Sequence, residues 1–173
     1  MSLVYTAPAA GNNASSGGGN SRRNSVYIGG KKEAKSLEML QQRGISRILN
    51  VTPAKETSIQ AGVPNYFEKS GKFVYRRIPV YDAATSTTTL EEKAEEIVSF
   101  ISSGLFHGSV LVHCRHGVSR STTCVVMYLM RKLEMSLADA MTLVQRRRPQ
   151  AQPIPAFMQL LERYEKQCEQ SRK

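Results

Sequence analysis

Residues 110–123, VLVHCRHGVSRSTT, constrain the fold more than any other part of the sequence. They begin with VLVH, a short continuous apolar run that is typical of a central parallel strand buried on both faces. The overlapping segment 122–130, TTCVVMYLM, is apolar on all sides and predicts a buried helix. A strand that passes through a short loop into a buried helix is a basic unit of α/β folds.

Strands and helices alternate along most of the chain. Short β-branched and apolar runs predict strands, whereas apolar residues at helical spacing, flanked by capping residues, predict helices. The predicted strands cover residues 26–28, 45–51, 72–80 and 110–113. The predicted helices cover residues 32–43, 89–102 and 122–130, and two more begin at Ser136 and near Pro155. This order predicts an α/β fold with a mostly parallel central sheet flanked by helices on both faces.

The first 24 residues differ in composition from the rest of the sequence. The segment AAGNNASSGGGNSRRNS has low complexity and no apolar periodicity, so it cannot offset the entropy lost on ordering. We therefore expect a disordered tail over residues 1–24 and one folded domain over residues 25–170. The N-terminus lacks the basic and apolar regions of a signal peptide. No apolar run approaches the roughly 20 residues of a membrane-spanning helix.

The composition indicates which chemical class of partner the protein binds and in which cellular compartment it lies. A net charge of +10, from 24 Lys and Arg against 14 Asp and Glu, favours anionic partners. Nucleic acid, anionic lipid and phosphorylated substrates all meet that description. Three cysteines without a CxxC pair indicate free thiols in a reducing compartment, and so a cytoplasmic protein. The basic run 146–148 has three interpretations: a solvated helix end, a docking surface, or a nuclear import signal that would add a nuclear location.

The loop between the strand and the helix of residues 110–123 is suited to bind an oxyanion. In open α/β sheets ligands bind at the C-terminal ends of strands, and the free N–H groups of a helix N-terminus attract anions. Gly117 can adopt a positive φ that turns successive N–H groups inward, and Arg120 offers a planar guanidinium for bidentate phosphate contact. The predicted phosphate-binding residues are Arg115, His116, Gly117, Val118, Ser119 and Arg120.

Cys114 lies at the base of this loop and is the predicted nucleophile. The N–H groups and cations that bind phosphate also stabilise a thiolate, and they lower a cysteine pKa from about 8.5 to about 3.5–7.5. The thiolate is then able to attack the phosphorus of a bound ester. His113 is predicted to fix the surroundings of the sulfur, and Ser121 to donate a hydrogen bond to it when it leaves. The plainer role of a buried structural cysteine fits Cys124 and Cys168, on apolar helix faces.

The motif HCRHGVSRS, residues 113–121, resembles the signature of cysteine-dependent protein phosphatases: His-Cys, five residues, Arg, then Ser or Thr. GVSRS followed by MYLMR resembles the dual-specificity branch of that family. VYIGG, GISRILNVTP, NYFEKSGKFVYRRIPVYD and RRRP are similar to the catalytic domain of MAP-kinase phosphatases. The resemblance covers residues 25–165. It departs from the family pattern at His116, where a small residue is usual.

This resemblance implies a phosphatase that acts on phosphotyrosine and on phosphoserine or phosphothreonine through a phosphocysteine intermediate. It implies that Asp82, on the loop after the IPV strand, protonates the leaving oxygen and then deprotonates the attacking water. No metal and no cofactor are implied, because Arg120 and backbone amides supply the positive field. The implied partners are phosphorylated proteins, with MAP kinases as the leading class, and nucleic acid is not favoured. Phosphoinositide or RNA phosphates stay open as substrates.

Two other functions compete with this one. A catalytically weak module that only binds phosphoproteins would be expected to lack the nucleophile or the arginine, and this sequence keeps both Cys114 and Arg120. A sulfur-transfer or arsenate-reducing enzyme also places a reactive cysteine in an anion loop, but the surrounding motifs do not support that class. The sequence therefore favours a dual-specificity phosphatase, with the binding module as the alternative.

Overall fold

The computed structural model describes residues 1–8, 23–59 and 61–172. These residues form five strands and seven α-helices. The strands are β1 (Ser2–Thr6), β2 (Ser25–Gly29), β3 (Ile45–Asn50), β4 (Val74–Arg77) and β5 (Ser109–His113). The helices are α1 (Lys31–Ala34), α2 (Leu37–Gln42), α3 (Thr87–Glu92), α4 (Ala94–Gly104), α5 (Arg120–Lys132), α6 (Leu137–Arg147) and α7 (Pro155–Gln170).

The strands make one sheet in the order β1-β2-β5-β3-β4. β5 is central, and all five of its residues are buried, as its continuous apolar sequence predicts. β2, β5, β3 and β4 run parallel to one another, whereas β1 pairs antiparallel with β2. The mostly parallel sheet predicted from the sequence is confirmed.

Helices cover both faces of this sheet, also as predicted. One face packs against α1 and α2 through a small cluster that includes Ala34, Leu40, Ile48 and Leu111. The larger core lies on the other face and takes in residues of α3 to α7. Its centre is α5, whose residues 120–130 are all buried. No helix in the described ranges combines the length and the apolar character needed to cross a membrane.

The predicted disordered tail of residues 1–24 is wrong at its start. Ser2–Thr6 form β1, which pairs with β2 in the register Ser2↔Ile28 to Thr6↔Ser25. Val4 is buried in the larger core, and the Tyr5 ring lies 6.1 Å from the Tyr128 ring. The short apolar run of β1 directly precedes the low-complexity segment, so the composition of residues 1–24 as a whole predicts one tail for both. Most of the predicted tail, residues 9–22, lies outside the described residues.

Two predicted helices are each divided in the structure. The helix expected over residues 32–43 breaks between α1 and α2, where the Ser36 hydroxyl accepts a hydrogen bond from the Met39 N–H at 3.3 Å. Serine favours this capping position over a helix interior, which explains the break. The helix expected over residues 89–102 divides at Lys93 into α3 and α4. The strand expected over residues 72–80 is shortened to β4 at both ends, and at its C-terminal end Pro79 cannot donate to a ladder.

The parallel strands end together at one edge of the sheet. Gly29 of β2 and Asn50 of β3 are both in register with His113 of β5, and Asn50 also aligns with Arg77 of β4. The loops that follow these strands therefore gather at this edge, and the loop after β5 leads from Cys114 into α5.

Candidate active site

The sulfur of Cys114 lies at the base of the loop between β5 and α5. The residue is 2% exposed. Its Sγ accepts a hydrogen bond from the Gly117 N–H at 3.2 Å and lies 3.4 Å from the Ser121 Oγ. The sequence placed Ser121 as a donor to this sulfur, and the structure brings the two atoms within contact distance.

The surroundings of Cys114 favour the thiolate. Burial alone raises the pKa of this thiol, but the Ser121 hydroxyl, the Arg120 guanidinium and the amides of Ser121 and Gly117 together outweigh it and lower the pKa. Burial raises the pKa of Cys124 and of Cys168, which lie in the larger core. Of the three cysteines, Cys114 alone has surroundings that prepare it as a nucleophile.

The backbone of the loop at residues 115–118, which we call the phosphate loop, points its carbonyl groups outward. Four consecutive carbonyl oxygens each accept a hydrogen bond from outside the loop. The pairs are Arg115 O with the Lys31 N–H at 2.9 Å, His116 O with Arg148 Nη2 at 3.0 Å, Gly117 O with Arg148 Nε at 2.5 Å, and Val118 O with the Gln152 N–H at 2.9 Å. Because a trans peptide directs its C=O and N–H groups oppositely, the N–H groups of residues 116–119 face the inside of the loop.

Gly117 has the positive φ that the sequence predicts, at +69°. A Cβ atom there would lie 2.6 Å from Arg148 Nη2 and 2.6 Å from the Gly29 carbonyl oxygen. Both the backbone conformation and the space around it therefore require glycine. The tight fit also shows how closely the phosphate loop packs against the end of β2.

Arg120 is the first residue of α5 and is 3% exposed. Its Nη1 donates to the Val80 carbonyl at 3.2 Å, and its Nε has no hydrogen-bond partner within the described ranges. A buried guanidinium with an unpaired N–H is suited to an anion that accepts from its remaining donors. Ser119 is also buried, but its Oγ accepts from the Ile154 N–H at 3.2 Å and so fixes the loop that precedes α7.

Asp82 is exposed on the loop that follows β4. In the part of the chain that the structure describes, no hydrogen bond joins it to Cys114 or Arg120. The loop is tied to the site two residues earlier, through the Val80 carbonyl and Arg120. The Tyr81 N–H, next to Asp82, donates to the Ser86 Oγ at 2.9 Å. Asp82 therefore follows the anchored Val80 by two residues, and its catalytic role stays a prediction; hydrogen bonds to a general acid often form only with substrate bound.

His113, which the sequence predicts to fix the surroundings of the sulfur, contacts the backbone of the nucleophile. Its Nδ1 lies 3.3 Å from the Cys114 carbonyl oxygen. Side chains that follow one another along a strand point to opposite faces, which sends this ring away from Sγ. Burial lowers the pKa of His113 to about 4, so the imidazole is neutral at neutral pH.

The basic run of residues 146–148 does not form a single surface feature. Arg146 and Arg147 are exposed, whereas Arg148 is 5% exposed and contacts the phosphate loop. The solvated, docking and nuclear-import interpretations therefore do not fit Arg148. Pro149 indicates in the sequence that Arg148 departs from the helix, because the residue before proline is driven out of the helical conformation. Arg148 has φ −142° and ψ 85° and so turns away from the direction of α6.

A basic cavity of about 430 Å³ opens beside the phosphate loop. The side chains of Arg115, half-buried, and His116, exposed, reach its wall. The other lining residues are Gly30, Lys31, Lys32, Glu33 and Arg148. Within the described ranges, no group of three histidine, cysteine or carboxylate side chains is placed to hold a metal ion.

The three cysteines should differ sharply in reactivity. We expect iodoacetate at about pH 6 to alkylate Cys114 first, because only its pKa is lowered and the inward N–H groups attract the anionic reagent. Inorganic phosphate should slow this reaction by competing for the same N–H groups. Mass spectrometry of digested protein after timed exposure measures the modified site. Faster labelling of Cys124 or Cys168 than of Cys114 would contradict the electrostatic account of the loop.

Comparison with known proteins gives one consistent result. The family described as "Dual specificity phosphatase, catalytic domain" matches residues 26–167. Human dual specificity protein phosphatase 9 is 42% identical over 140 residues, which cover 80% of this chain and 34% of the relative. Human dual specificity protein phosphatase 6 is 39% identical over 139 residues, or 79% of this chain and 34% of the relative.

A third relative has a name that specifies a target. MAP kinase phosphatase with leucine-rich repeats protein 3 from Dictyostelium discoideum is 38% identical over 144 residues, covering 81% of this chain and 15% of the relative. The crystal structure of human DUSP28 superposes with a TM-score of 0.66 at 28% identity, covering 84% of this chain and 94% of that one. The chain thus spans about a third or less of the length of these curated relatives, but nearly all of the solved domain.

Proposed function

Because this chain belongs to the dual specificity phosphatase family, we propose that it hydrolyses phosphotyrosine and phosphoserine or phosphothreonine in proteins. One observation carries the proposal. The sulfur of Cys114, with a lowered pKa, lies at the base of a loop whose N–H groups face inward beside the buried Arg120. This arrangement combines a nucleophile with a binding site for a tetrahedral anion.

In the proposed first step, the Cys114 thiolate attacks phosphorus while the bond from phosphorus to the leaving oxygen breaks. Asp82 gives its proton to that oxygen, since an alkoxide or phenoxide is a poor leaving group. Arg120 and the inward-facing N–H groups of residues 116–119 stabilise the non-bridging phosphoryl oxygens. The products of this step are the dephosphorylated side chain and a phosphocysteine.

In the proposed second step, water attacks the phosphocysteine and Asp82 accepts the proton that the water loses. The bond from sulfur to phosphorus breaks, and the sulfur leaves as a thiolate. The Ser121 hydroxyl, 3.4 Å from Sγ, donates to this developing charge. Inorganic phosphate is then released, and Asp82 is again protonated for the next cycle.

We propose phosphorylated MAP kinases as the substrate class. The Dictyostelium relative is named as a MAP kinase phosphatase, and the net charge of +10 suits a negatively charged target. The alternative of a module that binds phosphoproteins without turnover has no observation in its favour, because Cys114 and Arg120 are both present, on either side of the phosphate loop.

The dependence of turnover on the leaving group tests the proposed role of Asp82. With phosphotyrosine as substrate, Asp82→Asn should lower kcat by about 10²- to 10⁴-fold, because the leaving phenoxide no longer receives a proton. The loss should be smaller with 4-nitrophenyl phosphate, whose leaving group needs less protonation.

Asp139→Asn is the matched control, because Asp139 is the other aspartate of the sequence and is exposed on α6. It should keep the native kcat with both substrates. If Asp82→Asn loses as much kcat with 4-nitrophenyl phosphate as with phosphotyrosine, another group is the acid. If the native chain hydrolyses neither substrate, the proposed function is wrong.

A further inference from the structure

Arg148 lies behind the phosphate loop, on the side away from the nucleophile. Its guanidinium makes contacts in two directions. Toward the loop, Nη2 donates to the His116 carbonyl at 3.0 Å and Nε to the Gly117 carbonyl at 2.5 Å. Away from the loop, Nη1 donates to the Ser2 Oγ at 3.3 Å and lies 3.9 Å from Glu33 Oε1. The buried charge is therefore shared between the loop and two other elements of the fold.

The two carbonyls that Arg148 holds are the central pair of the four that point outward. The outer pair, at Arg115 and Val118, accept from backbone N–H groups of Lys31 and Gln152. Among the described residues, the donor to the central pair is the Arg148 side chain. A single substitution at this position therefore releases two consecutive peptide groups of the loop.

One of these peptide groups also contacts the nucleophile. The carbonyl of His116 and the N–H of Gly117 belong to the same rigid, planar peptide unit. Arg148 donates to the oxygen of that unit, and the Gly117 N–H at its other end donates to Cys114 Sγ at 3.2 Å. The hold of Arg148 on the oxygen thus fixes the direction in which the N–H points. The Gly117 carbonyl fixes the Val118 N–H in the same manner.

The guanidinium of Arg148 is itself held firmly. Glu33 also accepts from the Gly30 N–H at 2.9 Å and from the Met1 amine at 2.8 Å. Burial raises the pKa of Glu33, but these hydrogen bonds and the charge of the amine together lower it, so the carboxylate is ionised opposite Arg148. The 2.6 Å between Arg148 Nη2 and a Cβ placed on Gly117 shows that the guanidinium packs tightly against the loop.

We propose that Arg148 is a positioning residue for the reaction, which holds two peptide groups of the phosphate loop so that their N–H groups point at the sulfur and at the bound phosphoryl group. This inference rests on the proposed function in one respect, that the loop binds phosphoryl groups. It assigns to Arg148 no contact with the substrate.

Alkylation of Cys114 by iodoacetate tests this role without turnover. Two quantities are measured: the pH at which the alkylation rate is half its maximum, and the concentration of inorganic phosphate that halves the rate. Arg120 and Cys124 are the charged and titratable groups that act on this thiol, and the variants leave both unchanged. For Arg148→Ala we expect the midpoint to rise by about one pH unit. The concentration of inorganic phosphate that halves the alkylation rate should rise about tenfold or more.

Arg147→Ala is the matched control, since it removes the same charge from the neighbouring exposed position. It should leave both quantities at their native values. Arg148→Lys keeps the charge opposite Glu33 but has no fork to hold two carbonyls, so both quantities should lie between those of the native chain and Arg148→Ala. If Arg148→Ala does not fold, Arg148→Lys alone decides the question.

A purely structural role would give a different result. A folded Arg148→Ala or Arg148→Lys protein with a lower melting temperature, but with the native midpoint and native phosphate protection, would overturn the proposal. A native chain that phosphate protects but that turns over no phosphorylated substrate would overturn the proposed function instead, and the comparison of Arg148 variants would keep its meaning. For an active native chain, kcat of Arg148→Ala should fall about 10- to 100-fold.

Discussion

Cys114→Ser should lower kcat for hydrolysis of a phosphotyrosine peptide by on the order of 10⁴- to 10⁶-fold, the largest effect that we expect from any substitution in this chain. The surroundings of Sγ lower a thiol pKa, but a serine hydroxyl starts so much higher that it stays protonated in the same place. Steady-state kinetics with the peptide, followed by release of inorganic phosphate, measures the loss.

The same variant should still bind the phosphopeptide, because the inward N–H groups and Arg120 are unchanged. Cys168→Ser is the matched control, since that cysteine lies in α7 and burial raises its pKa. It should keep the native kcat. Substantial residual turnover in Cys114→Ser would mean that phosphoryl transfer does not pass through the sulfur.

Arg120→Lys should lower kcat by about 10³-fold, within the range found for arginines that stabilise phosphoryl transfer. Lysine keeps the positive charge near Cys114 but cannot offer two parallel N–H donors to phosphoryl oxygens. It also lacks the geometry to hold the Val80 carbonyl and a phosphoryl group together, as Arg120 is placed to do. The expected result is a large loss in kcat with a small change in the reactivity of the thiol.

Measurement of kcat and of the alkylation midpoint on one preparation separates these two effects. Arg131→Lys is the matched control, because Arg131 lies on the same helix and pairs with Glu95 at the surface. Its kinetics should match those of the native chain. If Arg120→Lys keeps kcat within a few-fold of native, the positive charge alone would suffice for catalysis and the bidentate contact would contribute nothing to kcat.

The parts of the fold that follow from local pattern could be predicted from the sequence. A buried strand, a glycine with positive φ and a buried helix are encoded within residues 110–130, so the position of Cys114 and the outline of its loop follow directly. The break at Ser36 also has a local cause, although the helical pattern on either side of it concealed the cap.

The missed features depend on partners far away in the sequence. Whether Arg148 is buried is decided by Glu33, Ser2 and two loop carbonyls, none of which is near it in the chain. The pairing of β1 with β2 depends likewise on an edge that only the folded sheet provides. Composition and periodicity report on neighbours along the chain, and so they give no signal for such contacts.

The outward carbonyls of the phosphate loop have a consequence for how the domain tolerates change. In the proposed reaction the phosphoryl oxygens are held by Arg120 and by main-chain amides, which every residue but proline carries, so the side chains at 115 and 116 can change without loss of these donors. These side chains instead line the basic cavity beside the loop. The proposed reaction therefore tolerates a bulky histidine at 116, and substitutions at these two positions change the wall of the cavity rather than the amides of the loop.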